Sequence, residues 1–355
     1  MPIQRAKPRF TEVKNVSNIT ANQLDIGQIG GRKNIIINGA MQVAQRGTSF
    51  TSVAGSAYHL DRFRTGMGDT SARFTVTQAT AGLNGFAKSF KYDCTTAEAS
   101  LSNADARLFI SQRIEGQNLQ QLKKGTSDAE KITISFYVKS TKTGTYILEV
   151  VDHDSSRHIS KSYTISSSGT WEQKILTFDA DTTGALTNDN TTSIQLNWWL
   201  IAGTNHSSGT LQTTWSGYAG ASDYQNSAVG NVNLGDNTSN TWEITGIQME
   251  VGSQATPFEH RSFGEELALC SRYFYKHKLE SDGGPRACQY HNSYKMTHDF
   301  FPVEMRAVPT ATVTFNSGSH TANGLSPSYA KFYVLSSYDA GHNYFLTAAQ
   351  YESEL

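Results

Sequence analysis

Five carboxylates in this chain could do chemistry by type alone: Asp61, Glu115, Asp152, Asp154 and Glu250. Glycoside hydrolysis needs two carboxyl groups facing each other across a cleft, one as acid and one as base or nucleophile. None of the five falls in a recognisable pair, so a solvated or structural role is the reading at each. The segment DHDSSRH, Asp152 to His158, has the composition of a metal site. It falls where a strand-to-strand turn is expected, which favours an exposed polar turn. No GxSxG, HExxH or glycine-rich phosphate loop occurs. Sugar binding asks for flat aromatic faces beside amides. Gln195, Asn197 and Trp199 share one parity and would offer this on an outward row if Trp198 is core; Trp215, Tyr218 and Tyr224 would offer it on a loop. The alternative is that the outward Trp is covered by that loop or by a neighbouring copy.

The elements that must position these residues are strands. Ile132, Ile134, Phe136 and Val138 alternate with Thr133, Ser135, Tyr137 and Lys139, which is the period of a strand buried on one face. TKTGT then predicts a hairpin into Tyr146 to Val151. Trp171 to Phe178, the row Ile194, Leu196, Trp198, Leu200, and Trp242 to Val251 continue the pattern. Ile35 to Ile37 is a short apolar run at its start. Strands recurring without helical spacing between them predict a mainly β protein, an antiparallel sandwich of jelly-roll type. One helix is expected: Ser262 and Glu265 form a capping box, and Leu267, Cys270 and Phe274 follow at helical spacing. The organisation read from this is an attachment arm over 1–33, a jelly roll over 34–256, a connector with the helix over 257–278, and a small β-unit over 279–355. A long Gly, Ser, Asn and Thr-rich segment spans 202–240.

Composition narrows the function classes. Hydrophobic residues make up 37% of 355 and charged residues 17%, so neither a membrane-spanning chain nor a highly charged disordered one fits. The formal net charge of −1 lacks the basic surplus of a nucleic-acid binder. Cys94, Cys270 and Cys288 are too few and too widely spaced for a disulfide framework or a zinc site. The start MPIQRAKPRF reads as no signal peptide, so the product is expected to stay in the cell that makes it until something else releases it. No cofactor is expected from the residues themselves. No fixed-period repeat supports a β-helix.

Several segments carry a resemblance. They are NIIINGAMQVAQRGTSF at 34–50 with Tyr58 and LDRF at 60–63, ISQRIEG at 110–116, SFYVKSTKTGTY at 135–146, TGIQMEVGSQATPFEHRSFGEELALCSRYFYK at 245–276, and FPVEMRAVPT from Phe301. Together they resemble phage tail-fibre and minor tail proteins, and the middle region is similar to the jelly roll of carbohydrate-binding modules. The resemblance covers roughly 34–355. It implies a non-enzymatic virion protein, a homotrimer, attached through residues 1–33 to other tail or capsid proteins and adhering to a host surface glycan. A capsid-bound decoration or head fibre is the second reading, and a polysaccharide-degrading enzyme the third. It further leaves open a structural calcium ion near Asn38 and Glu250, although Gln42 stands where such modules often carry an acidic residue. From the residues, Asn38-Gly39 predicts a turn with positive φ, and Gln45, Arg46 and Gly47 are expected to tie that turn to Asp61 and Arg62.

Overall fold

In the computed structural model the described residues are 32–218, 225–277, 288–291, 294–315, 319–335 and 346–355. The protein is mainly β, and among the described residues every strand pairing is antiparallel. Among the described residues thirteen strands come first: β1 (Ser49–Val53), β2 (Ala57–Leu60), β3 (Phe63–Gly68), β4 (Arg73–Leu83), β5 (Phe86–Thr96), β6 (Arg107–Glu115) and β7 (Ile132–Ser140). These continue with β8 (Gly144–Asp152), β9 (Arg157–Ile165), β10 (Glu172–Phe178), β11 (Thr192–Ala202), β12 (Ser216–Gly217) and β13 (Thr241–Val251). They form a six-stranded sheet, β1-β4-β5-β13-β7-β10, and a seven-stranded sheet, β12-β9-β8-β11-β6-β3-β2. One apolar core fills the space between the sheets. Aromatic rings interdigitate across it, Phe136 against Trp198 at 5.9 Å and Phe63 against Phe90 at 6.4 Å. This is the sandwich that the alternating pattern predicts.

Three sequence expectations are corrected here. β7 and β8 do not pair as a hairpin: β7 lies between β13 and β10, and β8 between β9 and β11, so TKTGT carries the chain from one sheet to the other. The crossing is held by Ser140 Oγ and the Thr141 amide, which both donate to Thr241 O, and by Lys142 on Asp236. Alternation along β7 reports a buried face, and both sheets own such a face, so the pattern could not choose the partner. Ile35 to Ile37 is not a regular strand; Ile35 N donates to Met249 O, but Ile37 N donates to the Gln112 side chain. The helix ends sooner than its apolar spacing implies. It runs Phe263–Ser271, with Ser262 Oγ accepting from Glu265 N at 3.3 Å, and Phe274 opens the next strand.

That strand, β14 (Phe274–His277), belongs to the C-terminal sheets. β15 (Cys288–His291), β16 (Tyr294–Phe300), β17 (Thr310–Phe315), β18 (Ser319–Leu325), β19 (Tyr329–Leu335) and β20 (Leu346–Glu352) follow. They form a three-stranded sheet, β14-β20-β17, and a four-stranded sheet, β15-β16-β19-β18. Met305, Phe315, Phe332, Leu346 and Tyr351 make a second core, separate from the first. Apart from Arg32 and Lys33, the arm over 1–33 lies outside the described residues. Arg32 pairs with Glu259 and Glu265, and the Lys33 amide donates to Glu259 at 2.8 Å. Among the described residues no helix is long and apolar enough to cross a membrane.

Candidate functional site

The amide and aromatic row on β11 faces away from the main core, but it is not open. Trp199 and Asn197 are each 4% exposed and Gln195 6%. Trp198, on the other face, is fully buried. The segment after β11 folds back over the row: His206 lies 5.1 Å from the Trp199 ring, and Ala228 and Leu211 complete a small apolar cluster with Ile147. The cover is sewn down by Ser160 Oγ donating to Ser227 O, by Asn231 Oδ1 accepting from Ile147 N, and by Gln212 N donating to Asn226 O. The expectation of an outward sugar-binding row is therefore corrected. Trp199 is roofed by its own chain, because the long polar segment brings enough apolar and hydrogen-bonding groups to seal it.

Beneath that roof lies a polar ladder. Gln195 Nε2 donates to Asn197 Oδ1 at 2.6 Å, and Asn197 Nδ2 and Trp199 Nε1 both donate to Glu149 Oε2 at 3.0 Å. His158 Nδ1 sits 3.0 Å from Glu149 Oε1. Burial alone would raise the Glu149 carboxyl, but His158, Asn197 and Trp199 together hold it below the usual glutamate range. Glu149, central to this network, was missed in the sequence. The signal was a lone acid in the otherwise apolar run Tyr146 to Val151. Trp215 packs elsewhere, its Nε1 donating to Asp179 O at 2.7 Å and its ring 4.5 Å from Lys124 Nζ. Tyr218 donates to Asp152 O at 3.4 Å. Tyr224 lies outside the described residues.

The motif residues converge on a different place, the junction between sandwich, helix and C-terminal unit. Asn38 takes φ 60° in its turn and donates to Val43 O and Asp61 O, while its Oδ1 accepts from Val43 N. Gly39 has no room for a side chain, since a Cβ would stand 2.2 Å from Ile247 O. Gln45 binds both Asp61 oxygens, at 2.6 and 2.7 Å, whereas Arg46 approaches Asp61 only to 4.0 Å and reaches Glu352 and Glu354 instead. Burial pushes the Asp61 carboxyl up, against Arg46 and the Gln45 donors. Arg62 is 1% exposed, lies over the Tyr273 ring at 3.5 Å and pairs with Glu354. Glu115 accepts from Arg272 at 2.9 and 3.0 Å, from Tyr273 and from Gln117. These donors outweigh burial and hold its carboxyl low. Arg306, from FPVEMRAVPT, donates to the carbonyls of Ser353, Asn190 and Glu354 at 2.7 to 3.0 Å. Tyr58 and Arg113 donate to Leu355 O at 2.8 and 2.7 Å.

The residues near Asn38 and Glu250 do not fit calcium. Glu250 accepts from Gln248 Nε2, Thr256 N and Thr256 Oγ1, so its oxygens face N–H and O–H donors rather than a gap among oxygens. Among the described residues no group of three or more His, Cys, Asp or Glu could hold a metal. In DHDSSRH, Asp152 Oδ1 accepts from the Asp154 and Ser155 amides, and Asp154 accepts from Thr187. The segment is the β8–β9 turn. An open groove of about 920 Å³ runs along the helix between Val43, Phe263, Leu267, Tyr275 and Pro302, and among the described residues its lining holds no carboxylate.

No protein family matches the sequence, and no curated protein matches it. Among solved structures, one similar chain is the enzymatically active domain of tailspike protein 4 from bacteriophage CBA120. It shows 14% identity and a TM-score of 0.31 over 61% of this chain, and the match spans 21% of the tailspike chain. A family 4 carbohydrate-binding module is similar at 11% identity and TM-score 0.30, covering 60% of this chain and 97% of its own. A family 11 module from Clostridium thermocellum, solved with a mixed-linked tetrasaccharide, is similar at 12% identity and TM-score 0.30, covering 58% and 100%.

Proposed function

We propose that this chain is a non-catalytic structural protein of a bacteriophage particle, a tail-fibre adhesin whose C-terminal β-unit touches glycan on the host surface. The observation that carries the reading is where the tail-fibre-like residues go. Asp61, Arg62, Glu115, Arg272, Tyr273 and Arg306 build a buried joint that seats one β-unit on another. That is a device for presenting a surface, not for cutting a substrate. The carboxylates of catalytic type support it, since Glu115, Asp152, Glu250 and Asp61 are each engaged by protein donors.

Among the described residues, two of the aromatic rings left in solvent lie together on the presented unit, while a third, Phe263, is exposed on the helix. Phe300 is 71% exposed and Tyr329 37%, and they face each other across β16 and β19 with His298 beside them. Flat rings next to polar side chains suit the C–H face of a sugar. In this reading the arm over 1–33 docks on another virion protein, three copies assemble, and the protein is made in the bacterial cytoplasm before joining the particle. The test is saturable binding of the purified protein to intact host cells, before and after stripping of surface polysaccharide. Stripping should abolish binding, and the double variant Phe300→Ala/Tyr329→Ala should weaken it by about tenfold or more. Binding indifferent to stripping overturns the glycan reading, and no binding at all overturns the adhesin.

A further inference from the structure

One cluster outside the joint holds a nucleophile, an electrophile and a base in contact, closed to water. Lys124 follows the short turn Gln120–Leu122, between β6 and β7. Asp152 ends β8, and Asp181 follows β10. The three side chains are 3%, 0% and 2% exposed. Lys124 Nζ donates to Asp152 Oδ2, to Asp181 Oδ2 at 2.8 Å and to Gly184 O at 2.9 Å. The Trp215 ring covers the amine from 4.5 Å. Gly184 closes the other side so tightly that a Cβ there would stand 2.8 Å from Nζ.

We propose that Lys124 and Asp152 condense into an intramolecular isopeptide bond, with Asp181 as the proton carrier. The buried ammonium first passes a proton to Asp152 Oδ2, to which it already donates, so the pair becomes free amine and neutral acid with no change in net charge, while Asp181 stays a carboxylate. Asp152 reacts as its neutral acid, and the free amine attacks its Cγ. Charge develops on Oδ1, which already accepts from the Asp154 amide at 2.9 Å and the Ser155 amide at 3.1 Å. These are donors placed as an oxyanion site requires. The added nitrogen loses a proton, the Oδ2 hydroxyl takes one through Asp181, and one water leaves. Amine and carboxylic acid become amide and water, with no oxidant and no co-reactant. Held reactants reach effective molarities of roughly 10⁵–10⁸ M, enough to offset bulk water. Asp181 then keeps Arg157, whose Nε donates to it at 2.7 Å, so the charges left behind remain balanced.

The product ties the segment between β6 and β7 covalently to the end of β8, and its existence does not depend on what the protein binds. Intact mass spectrometry of the folded wild type is expected to read one water below the sequence mass. A tryptic digest is expected to yield one branched peptide containing Lys124 and Asp152. Asp181→Asn should fold with the same circular dichroism spectrum and carry the full sequence mass. The full mass in folded wild-type protein overturns the proposal, as does a lost water that maps to another pair or persists in Asp181→Asn. Since the wild type alone decides whether the bond exists, poor folding of the variant leaves the test intact.

Discussion

His59 sits on β2 with 7% exposure, its Nδ1 2.8 Å from Thr65 Oγ1, which meets the Tyr92 hydroxyl at 2.6 Å. Burial first, and then the Arg46 charge, lower its pKa from 6.5 to about 4. The imidazole is thus neutral in the fold while the unfolded chain protonates near 6.5. Stability from this site is full above that pH, falls as pH drops from 6.5 to about 4, and stays lost below. The loss amounts to about 3 kcal/mol at this site. Urea unfolding at a series of pH values should show that slope in the wild type and a flatter one in His59→Gln. Parallel profiles would show that the ring gains a proton as easily folded as unfolded. Glu115, Glu149 and Asp181 act at the acid end. Their carboxyls are held low, so what they contribute is present above their ordinary values of 4.5, 4.5 and 3.8 and fades only below.

At the scale of elements, β13 shows how a single residue sets register. Its pairing with β7 slips between Thr245 and Gln248, and Gly246 in the slip takes φ 61°. The space that a side chain would need is filled by Phe86 at 2.7 Å and Tyr137 at 3.0 Å. The bulge turns Ile247 inward and lets its amide bond Gly39 O, so the entering segment can lie against the closing strand. Gly246→Ala is expected to cost about 2 kcal/mol or more, from the left-handed backbone together with the clash, and to lower the thermal midpoint. An unchanged midpoint would mean that the strand can slide to a regular register. The strands themselves were legible in the sequence because alternation is local: Ile194 to Leu200 and Ile132 to Val138 sit buried where parity put them. Which strands pair was not legible, as β7 and β8 show, because pairing depends on contacts far along the chain. The cover over Trp199 was hidden for the same reason. Its roof is made of Leu211, His206 and Ala228, which lie in a segment whose composition reads as loop.

At the largest scale the two larger cores of the described residues share one joint, and the joint is polar. Arg306 is its plainest member. Its guanidinium donates to carbonyls on both sides, to Asn190 of the sandwich and to Ser353 and Glu354 at the end of the C-terminal unit, while Asn190 Nδ2 returns a bond to Arg306 O at 2.7 Å. Hydrogen bonds to a charged donor contribute about 1.5–3 kcal/mol each when the partner would otherwise stay buried and unpaired. A joint of that strength should make the smaller core, with seven buried apolar residues among the described ones, unfold together with the larger. Calorimetry of the wild type is therefore expected to give one transition. Arg306→Met, which keeps the stem but loses every donor, should split it, with the C-terminal unit melting first and the sandwich close to its original midpoint. A single unshifted transition in the variant would move the coupling to Arg62 and Glu354. Two transitions in the wild type would mean that the units are tethered rather than braced, and a tethered unit could not hold Phe300 and Tyr329 in a fixed direction.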